Sequence, residues 1–240
     1  MKISFCTTCS NRLYQFENTF ETNLRLMLEH RDTEWIIFNF NSKDGLDEFM
    51  IRKMPALPAR IIYARALSNP PWHLSVAKNA AHKLASGDLL VSLDCDNYIS
   101  DAIDVLHEHF VPGTHALHMW SGVGGDGTCG RIAVDRAAFH ELGGYDEAFL
   151  PVAHQDMDLL KRARAKGMKV LHIPITGAFP IKNSKEETIR YCSVEGRDWQ
   201  SLFLENRSRS DANIANNRLV ANAGKPWGEV KVELFPGQAG

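Results

Sequence analysis

The sequence predicts an α/β protein built on a mostly parallel sheet flanked by helices. Three observations carry that expectation. Short apolar runs alternate with amphipathic helical stretches through the first hundred residues, the pattern of a doubly wound sheet. The run DLLVSL at 88–93 is apolar almost throughout, as a central strand covered on both faces must be, and it leads straight into Asp94-Cys95-Asp96-Asn97. The chain has 240 residues, 44% hydrophobic and 23% charged. That is enough to bury a core without disulfide staples.

Residues 2–6 form a short apolar run and read as the first strand. Residues 11–30 follow as a helix, with Leu13, Phe16, Phe20, Leu24, Met27 and Leu28 at three- and four-residue spacing. The β-rich run EWIIFNF at 34–40 is the second strand, NSKDG at 41–45 a turn, and 46–53 a short helix. RIIYA at 60–64 is the third strand. Asn69-Pro70-Pro71 breaks the chain, and an Ala- and Lys-rich helix spans 73–85 before Ser86-Gly87 stops it. The fourth strand, 88–93, delivers DCDN to a carboxyl strand end, where open parallel sheets bind their ligands.

Beyond residue 100 the pattern changes. Helices are expected at 103–110, 136–142 and 154–166, strands at 115–119 and 169–173, and an extended piece at 131–134. GVGGDG at 122–127 reads as a flexible loop, either a mobile wall of the acceptor site or an ordinary hairpin connection. Residues 184–218 look helical and polar, and the tail from Ala221 has few periodic apolar positions. No linker is long enough to separate independent domains. The expectation is one domain over 1–240: a nucleotide-binding half (1–100), an acceptor and catalytic half (101–183) and a helical and irregular extension (184–240).

Composition narrows the function. The net charge is −2 and the pI about 6.5, without the basic face that a polyanion demands, so no nucleic-acid partner is expected. Five cysteines, odd in number and irregularly spaced, argue against a disulfide framework and for a reducing compartment. No stretch approaches the ~20 apolar residues of a membrane span, and the N-terminus turns polar after five residues. A cytoplasmic location follows, peripheral to the inner face of a membrane if the acceptor is lipid-linked.

Two clusters carry chemistry. Asp94 and Asp96 lie two apart where a buried strand ends, so both carboxylates can converge on one hard cation. Mg²⁺ or Mn²⁺ held by one or two carboxylates plus diphosphate oxygens is the usual result. The structural alternative is that Asp96 or Ser100 caps the next helix. The second cluster is GGYDEAF at 143–149, followed by QDMDLLKR at 155–162. Asp156 stands at the expected start of a helix, where backbone N–H groups favour a carboxylate and where it could equally be a cap. Asp158 and Arg162, four apart, read as a helix-surface ion pair.

Lys78-Asn79, Gly87-Asp88, LLVSLDCDN, GGYDEAF and QDMDLLKRARAKGMKV, in that order and spacing over about residues 3–175, resemble the inverting glycosyltransferases of family 2, which have the GT-A fold. The GGYDE stretch also resembles the carboxyl half of galactosyltransferase domains. The resemblance implies a metal-binding DxD at Asp94 and Asp96, with Asp96 favoured as the direct ligand of Mn²⁺ or Mg²⁺. It implies that Asp156 is the general base taking the proton of the acceptor hydroxyl. Thr8 and Arg12, in TCSNR, match the first-strand loop that meets the nucleotide, and Lys78 stands where the family usually has Arg. The implied partners are a nucleotide-sugar donor, of uridine type by family tendency, and a saccharide or lipid-linked saccharide acceptor of polysaccharide biosynthesis.

The sequence departs from that pattern in places. Asn39 stands where the family often has an Asp that reads the uracil or ribose. It keeps an acceptor oxygen and loses the charge. The stretch Gly177-Ala178-Phe179-Pro180-Ile181-Lys182-Asn183 lacks the family's metal-binding His. His172 reads better as a packed core histidine, and Lys182 could meet the diphosphate as a point charge. Gln155 replaces the acid before the base. Trp120 could stack on a sugar or be buried. Cys6-x-x-Cys9 has no second pair and reads as core thiols. A nucleotidyltransferase is the competing enzyme class, but the Gly-rich basic loop it needs after the first strand is missing from CTTCSNR. A non-catalytic sugar- or nucleotide-binding module is the third reading.

Overall fold

The computed structural model describes residues 1–68, 71–175, 177 and 179–238. The expected break at Asn69-Pro70 and the position of Ala178 lie outside the described residues. Four strands fall where the alternation predicts them: β1 (Ile3–Cys9), β2 (Thr33–Asn39), β3 (Ile61–Ala66) and β4 (Leu89–Ser92). β5 (Ala116–His118), β6 (Ile132–Asp135) and β7 (Val170–His172) follow, and β8 (Val232–Pro236) lies in the tail. Together they form one sheet in the order β7-β5-β6-β4-β1-β2-β3-β8. β4, β1, β2 and β3 run parallel, while β6 is antiparallel to both β4 and β5, and β8 is antiparallel to β3.

The helices are α1 (Leu13–Glu29), α2 (Leu46–Lys53), α3 (Leu74–Leu84), α4 (Ala102–His109), α5 (Arg136–Glu141), α6 (Gln155–Ala165), α7 (Lys185–Ile189) and α8 (Trp199–Ala215). On one face of the sheet, the α1 stripe packs Phe16 and Phe20 on Trp35 of β2, with Phe20 and Trp35 stacked at 5.5 Å between ring centroids. Full burial of such side chains contributes about 1.5–3 kcal/mol each. On the other face, Ala77 and Ala81 of α3, Phe139 of α5 and Leu160 of α6 build a second layer with Ile36, Leu90 and Val134. Small Ala side chains let α3 lie close to the sheet, which brings Lys78 under the carboxyl ends of β1 and β4.

Three expectations change. β1 runs to Cys9 rather than residue 6, because Thr7 and Thr8 are buried in a central strand and the Thr7 hydroxyl accepts from Trp35 Nε1 at 2.9 Å. The polar stretch 184–218 is two helices, α7 opened by a Ser184–Glu187 capping box and α8 by the Asp198 side chain. The tail is not irregular throughout. Its β8 extends the sheet beyond β3, with Phe235 opposite Tyr63 in register and only modestly buried, so no apolar periodicity marks it.

Candidate active site

The chain runs from β1 outward to β2 and β3 and then returns to the other side of β1 to form β4. The carboxyl ends of β1 and β4 therefore flank the switch point of an open sheet, the usual place of a ligand crevice. A cavity of about 700 Å³ opens there, within the size of small-molecule sites. Thr8, Arg12, Asp94, Asp96 and Asp156 line it.

Asp94 follows β4, and the turn is closed by the Asn97 N–H donating to the Asp94 carbonyl at 2.9 Å. Asp96 is buried, and neither Asp96 nor Ser100 caps α4, whose N-cap is Asp101 without a side-chain bond. Its carboxylate accepts from Asn97 Nδ2 at 2.8 Å and from Asn183 Nδ2 at 2.6 Å. Burial, with the nearby Asp94 charge, pushes Asp96 up to about 6. Asp156 is the second residue of α6 and makes no capping bond. The N-cap position belongs to His154 instead. Ala153 and His154 are both left-handed, with φ of 76° and 71°.

Lys78 joins the two clusters. It is buried, with Nζ 2.8 Å from Asp156 Oδ1 and 3.2 Å from Asp94 Oδ1. Burial alone would discharge this lysine, but Asp156 and Asp94 outweigh it and hold it protonated. Burial, reinforced by Asp94, raises Asp156 above the ordinary carboxylate range despite the pull of Lys78. The remaining oxygens of the two carboxylates face Gly130. A Cβ there would lie 2.3 Å from Asp94 Oδ2 and 3.4 Å from Asp156 Oδ2. Only glycine leaves room for both acids.

Among the described residues no group of three His, Cys, Asp or Glu is placed to hold a metal. The donor set still suits Mn²⁺ or Mg²⁺. Asp94 and Asp96 supply hard oxygens, and their mutual repulsion, visible in the raised Asp96, is what a dication relieves. Such an ion keeps waters and takes its remaining ligands from phosphates. His172 is exposed rather than packed in the core; its Nε2 meets the Trp120 carbonyl oxygen at 2.9 Å. Lys182 is exposed and outside the cavity wall, which its neighbour Asn183 joins.

Asn39 is not brought to the cavity. It is buried, its Nδ2 donates to Tyr63 Oη at 2.8 Å and Asp47 Oδ1 at 3.2 Å, and its Oδ1 accepts from the Ser42 N–H at 2.7 Å. Asp158 and Arg162 do not form a surface pair. Both are buried, 2.7 Å apart, and the guanidinium also donates to the Leu142 and Gly144 carbonyls. They pin the GGYDE turn. Gly143 is left-handed with φ 70°, and a Cβ on it would lie 2.0 Å from the Ala221 carbonyl oxygen.

The loop at 122–127 connects the antiparallel β5 and β6 and lines the cavity through Gly124, Gly125 and Gly127, so it is a hairpin connection and a cavity wall at once. Trp120 beside it is half-buried, lines the cavity and stacks on His118. The thiols of Cys6 and Cys9 are free and buried in β1. The far wall comes from residues the sequence reading passed over: Trp72, Tyr191, Trp199 and Phe203. Trp199 and Phe203 are four apart and stack at 5.3 Å. That spacing was the available signal for them. Gly130 had none.

No protein-family model matches this chain, and no curated protein does. Solved structures do. A mannosyltransferase from Pyrobaculum calidifontis, in complex with GDP-Man and Mn²⁺, is 13% identical with a TM-score of 0.61, over 91% of this chain and 72% of that one. S. aureus TarS 1–349 in complex with UDP is 15% identical with a TM-score of 0.58, over 90% and 70%. Glucosyl-3-phosphoglycerate synthase from Mycobacterium tuberculosis, in complex with Mn²⁺, UDP and phosphoglyceric acid, is 14% identical with a TM-score of 0.58, over 98% and 87%. The fold of the chain is therefore the GT-A fold.

Proposed function

We propose that this chain is an inverting, family 2-like glycosyltransferase that moves a sugar from a nucleoside-diphosphate donor, with UDP-sugar favoured, to a hydroxyl of a saccharide or lipid-linked saccharide acceptor. The observation that carries this reading is the buried lysine shared by Asp94 and Asp156, two acids that line a switch-point cavity. It ties Asp94, one of the two proposed donor acids, and the proposed base to one ammonium. The residues up to 100 hold the donor in this reading, and those beyond it the acceptor. The complexes of the similar structures, with UDP or GDP-Man and with Mn²⁺, support a nucleoside-diphosphate donor.

The chemistry follows from the charges. Asp156 Oδ2 accepts the proton of the acceptor hydroxyl as that oxygen bonds to the anomeric carbon. The bond from that carbon to the diphosphate oxygen breaks on the opposite face, and configuration inverts. A carboxylate raised by burial is a better proton acceptor than an exposed one. Lys78 keeps Asp156 oriented and ionised between turnovers. Asp94 and Asp96 would hold Mn²⁺ or Mg²⁺, which neutralises charge developing on the leaving diphosphate. Arg12, the residue before α1, lines the cavity and supplies a further cation on the donor side.

Calorimetry with UDP, GDP, CDP and dTDP, with and without Mn²⁺, tests the reading. UDP should bind, and Mn²⁺ should tighten it. Asp96→Ala should lose the metal-dependent part, about tenfold in affinity or 1.4 kcal/mol. Absence of any diphosphate binding defeats the proposal, unchanged affinity in Asp96→Ala defeats the metal assignment, and selectivity for GDP defeats the uridine preference.

A further inference from the structure

The backbone just before the proposed base is in an unfavourable conformation. Ala153 and His154 are consecutive non-glycine residues with φ of 76° and 71°. The left-handed region crowds Cβ against the backbone, and such residues persist where their surroundings over-determine them. The N-cap residue of α6 is one of the pair and receives no side-chain capping bond. Something outside the helix must hold this entry.

Asn206 of α8 does so. It is fully buried, in a stripe with Leu202 and Ser210 at four-residue spacing. Its Nδ2 donates to the carbonyls of Ala153 at 2.9 Å, Val152 at 3.0 Å and Leu150 at 3.2 Å. Its Oδ1 accepts from the Leu150 N–H at 2.8 Å. One side chain therefore reads both polar groups of Leu150 and the last two carbonyls before His154. Asp at 206 lacks the donors, and Leu lacks every bond. Gln155 assists from within the segment, donating Nε2 to the Leu150 carbonyl at 2.8 Å.

We propose that Asn206 is a positioning residue for catalysis: by clamping residues 150–153 it holds the left-handed pair that turns the chain into α6 and aims Asp156 at Lys78 and the cavity. Asn206 does not itself line the cavity. It acts through the backbone, and α8 becomes part of the catalytic apparatus rather than an appended helix. The inference rests on the reading of Asp156 as the base.

The test is Asn206→Ala, alone and combined with Ala153→Gly. Glycine occupies positive φ without penalty, so it lowers the demand on the clamp. Asn206→Ala should lower kcat about 10- to 100-fold through misplacement of the base. UDP affinity in Mn²⁺ should stay within about twofold, because the donor acids lie in the turn after β4, away from the clamped segment. Ala153→Gly in that background should recover several-fold of the lost kcat. Wild-type kcat in Asn206→Ala overturns the proposal. So does a parallel loss of donor affinity, or failure of the glycine to rescue. If Asn206→Ala does not fold, Asn206→Ser, which keeps a hydroxyl donor, carries the same comparison. Unfolding of both makes the residue a prop of the whole fold and ends the proposal. If the wild-type chain transfers no sugar, the functional reading fails separately. Amide exchange at 153–158 then decides the clamp alone: it should rise several-fold in Asn206→Ala, and unchanged exchange overturns it.

Discussion

Two segments bring carboxylates to Lys78, and they are held in different ways. The turn at 94–97 leaves a buried parallel strand, bonds internally through Asn97 to both Asp94 and Asp96, and is braced from outside by Thr19 and Asn23 of α1, by Arg131, and by Ile181 and Asn183. The segment at 150–156 makes its decisive bonds to α3 and α8, with Leu74 N–H donating to the Pro151 carbonyl at 2.7 Å and Asn206 to three further carbonyls. Behind it, Arg162 ties α6 to the Gly143-Gly144 turn. Both segments are braced from distant elements, but the first directly follows a strand of the sheet while the second enters its helix through two left-handed residues, so the second is the easier to displace.

That contrast can be broken from either side. The largest effect is expected from Arg162→Met. It leaves Asp158 buried without its partner and frees the glycine turn, at a cost of about 3–5 kcal/mol. Urea unfolding measures it. A loss below about 1 kcal/mol, the range of exposed pairs, would show that the pair is not a structural tie.

Next comes Asp156→Asn, which isolates chemistry from architecture. Asn still accepts from Lys78 and cannot take a proton. Turnover should fall about 100-fold or more, while the melting curve shifts by the equivalent of about 1 kcal/mol at most. Lys78 keeps Asp94 as partner at 3.2 Å. UDP affinity should be nearly untouched. Near-wild-type turnover would return Asp156 to a structural role, and Asp158→Asn, buried on Arg162, should by contrast cost stability.

The smallest effect probes the sheet-held side through pH. Burial by itself would raise Glu34 of β2, but bonds from Lys2, Ser4 and Ser86 outweigh it and hold the carboxyl at about 2, below its ordinary 4.5. Those bonds tie β2 and β1 to the residues that lead into β4. A depressed carboxylate stabilises the fold above its unfolded value and loses that contribution as pH falls, here from about 4.5 toward 2. The contribution is about 2 kcal/mol after allowance for solvent screening. Glu34→Gln should flatten the pH dependence of the melting temperature in that window. An unchanged slope would mean that other acids dominate acid unfolding.

The same contrast governs what could be read in advance. DLLVSL announces a buried strand because both its faces are covered, and anything at its end is in a ligand crevice by topology. Asp94 and Asp96 were legible for that reason. Asp156 was legible as a residue through its resemblance, but not the fact that Lys78 lies between it and Asp94, 78 residues away in sequence. Asn39 shows the reverse case. Its place at the end of β2 was right, yet its amide is consumed by Asp47, Tyr63 and Ser42.

By itself the sequence determined the α/β alternation, the central strands and helix α1, because hydrophobic periodicity is a local property that burial on a sheet rewards directly. Only the tertiary structure decided the partners of polar groups. Arg162 looks like a surface cation and is buried; Asn206 looks like a surface amide on a polar helix and is buried; Gly130 carries no pattern and makes room for two acids. The physical reason is that a buried polar group is defined by its hydrogen-bond partner rather than by its own hydropathy. Apart from Asp158, four residues from Arg162, those partners lie on other elements, up to 56 residues away, whose meeting the fold alone arranges.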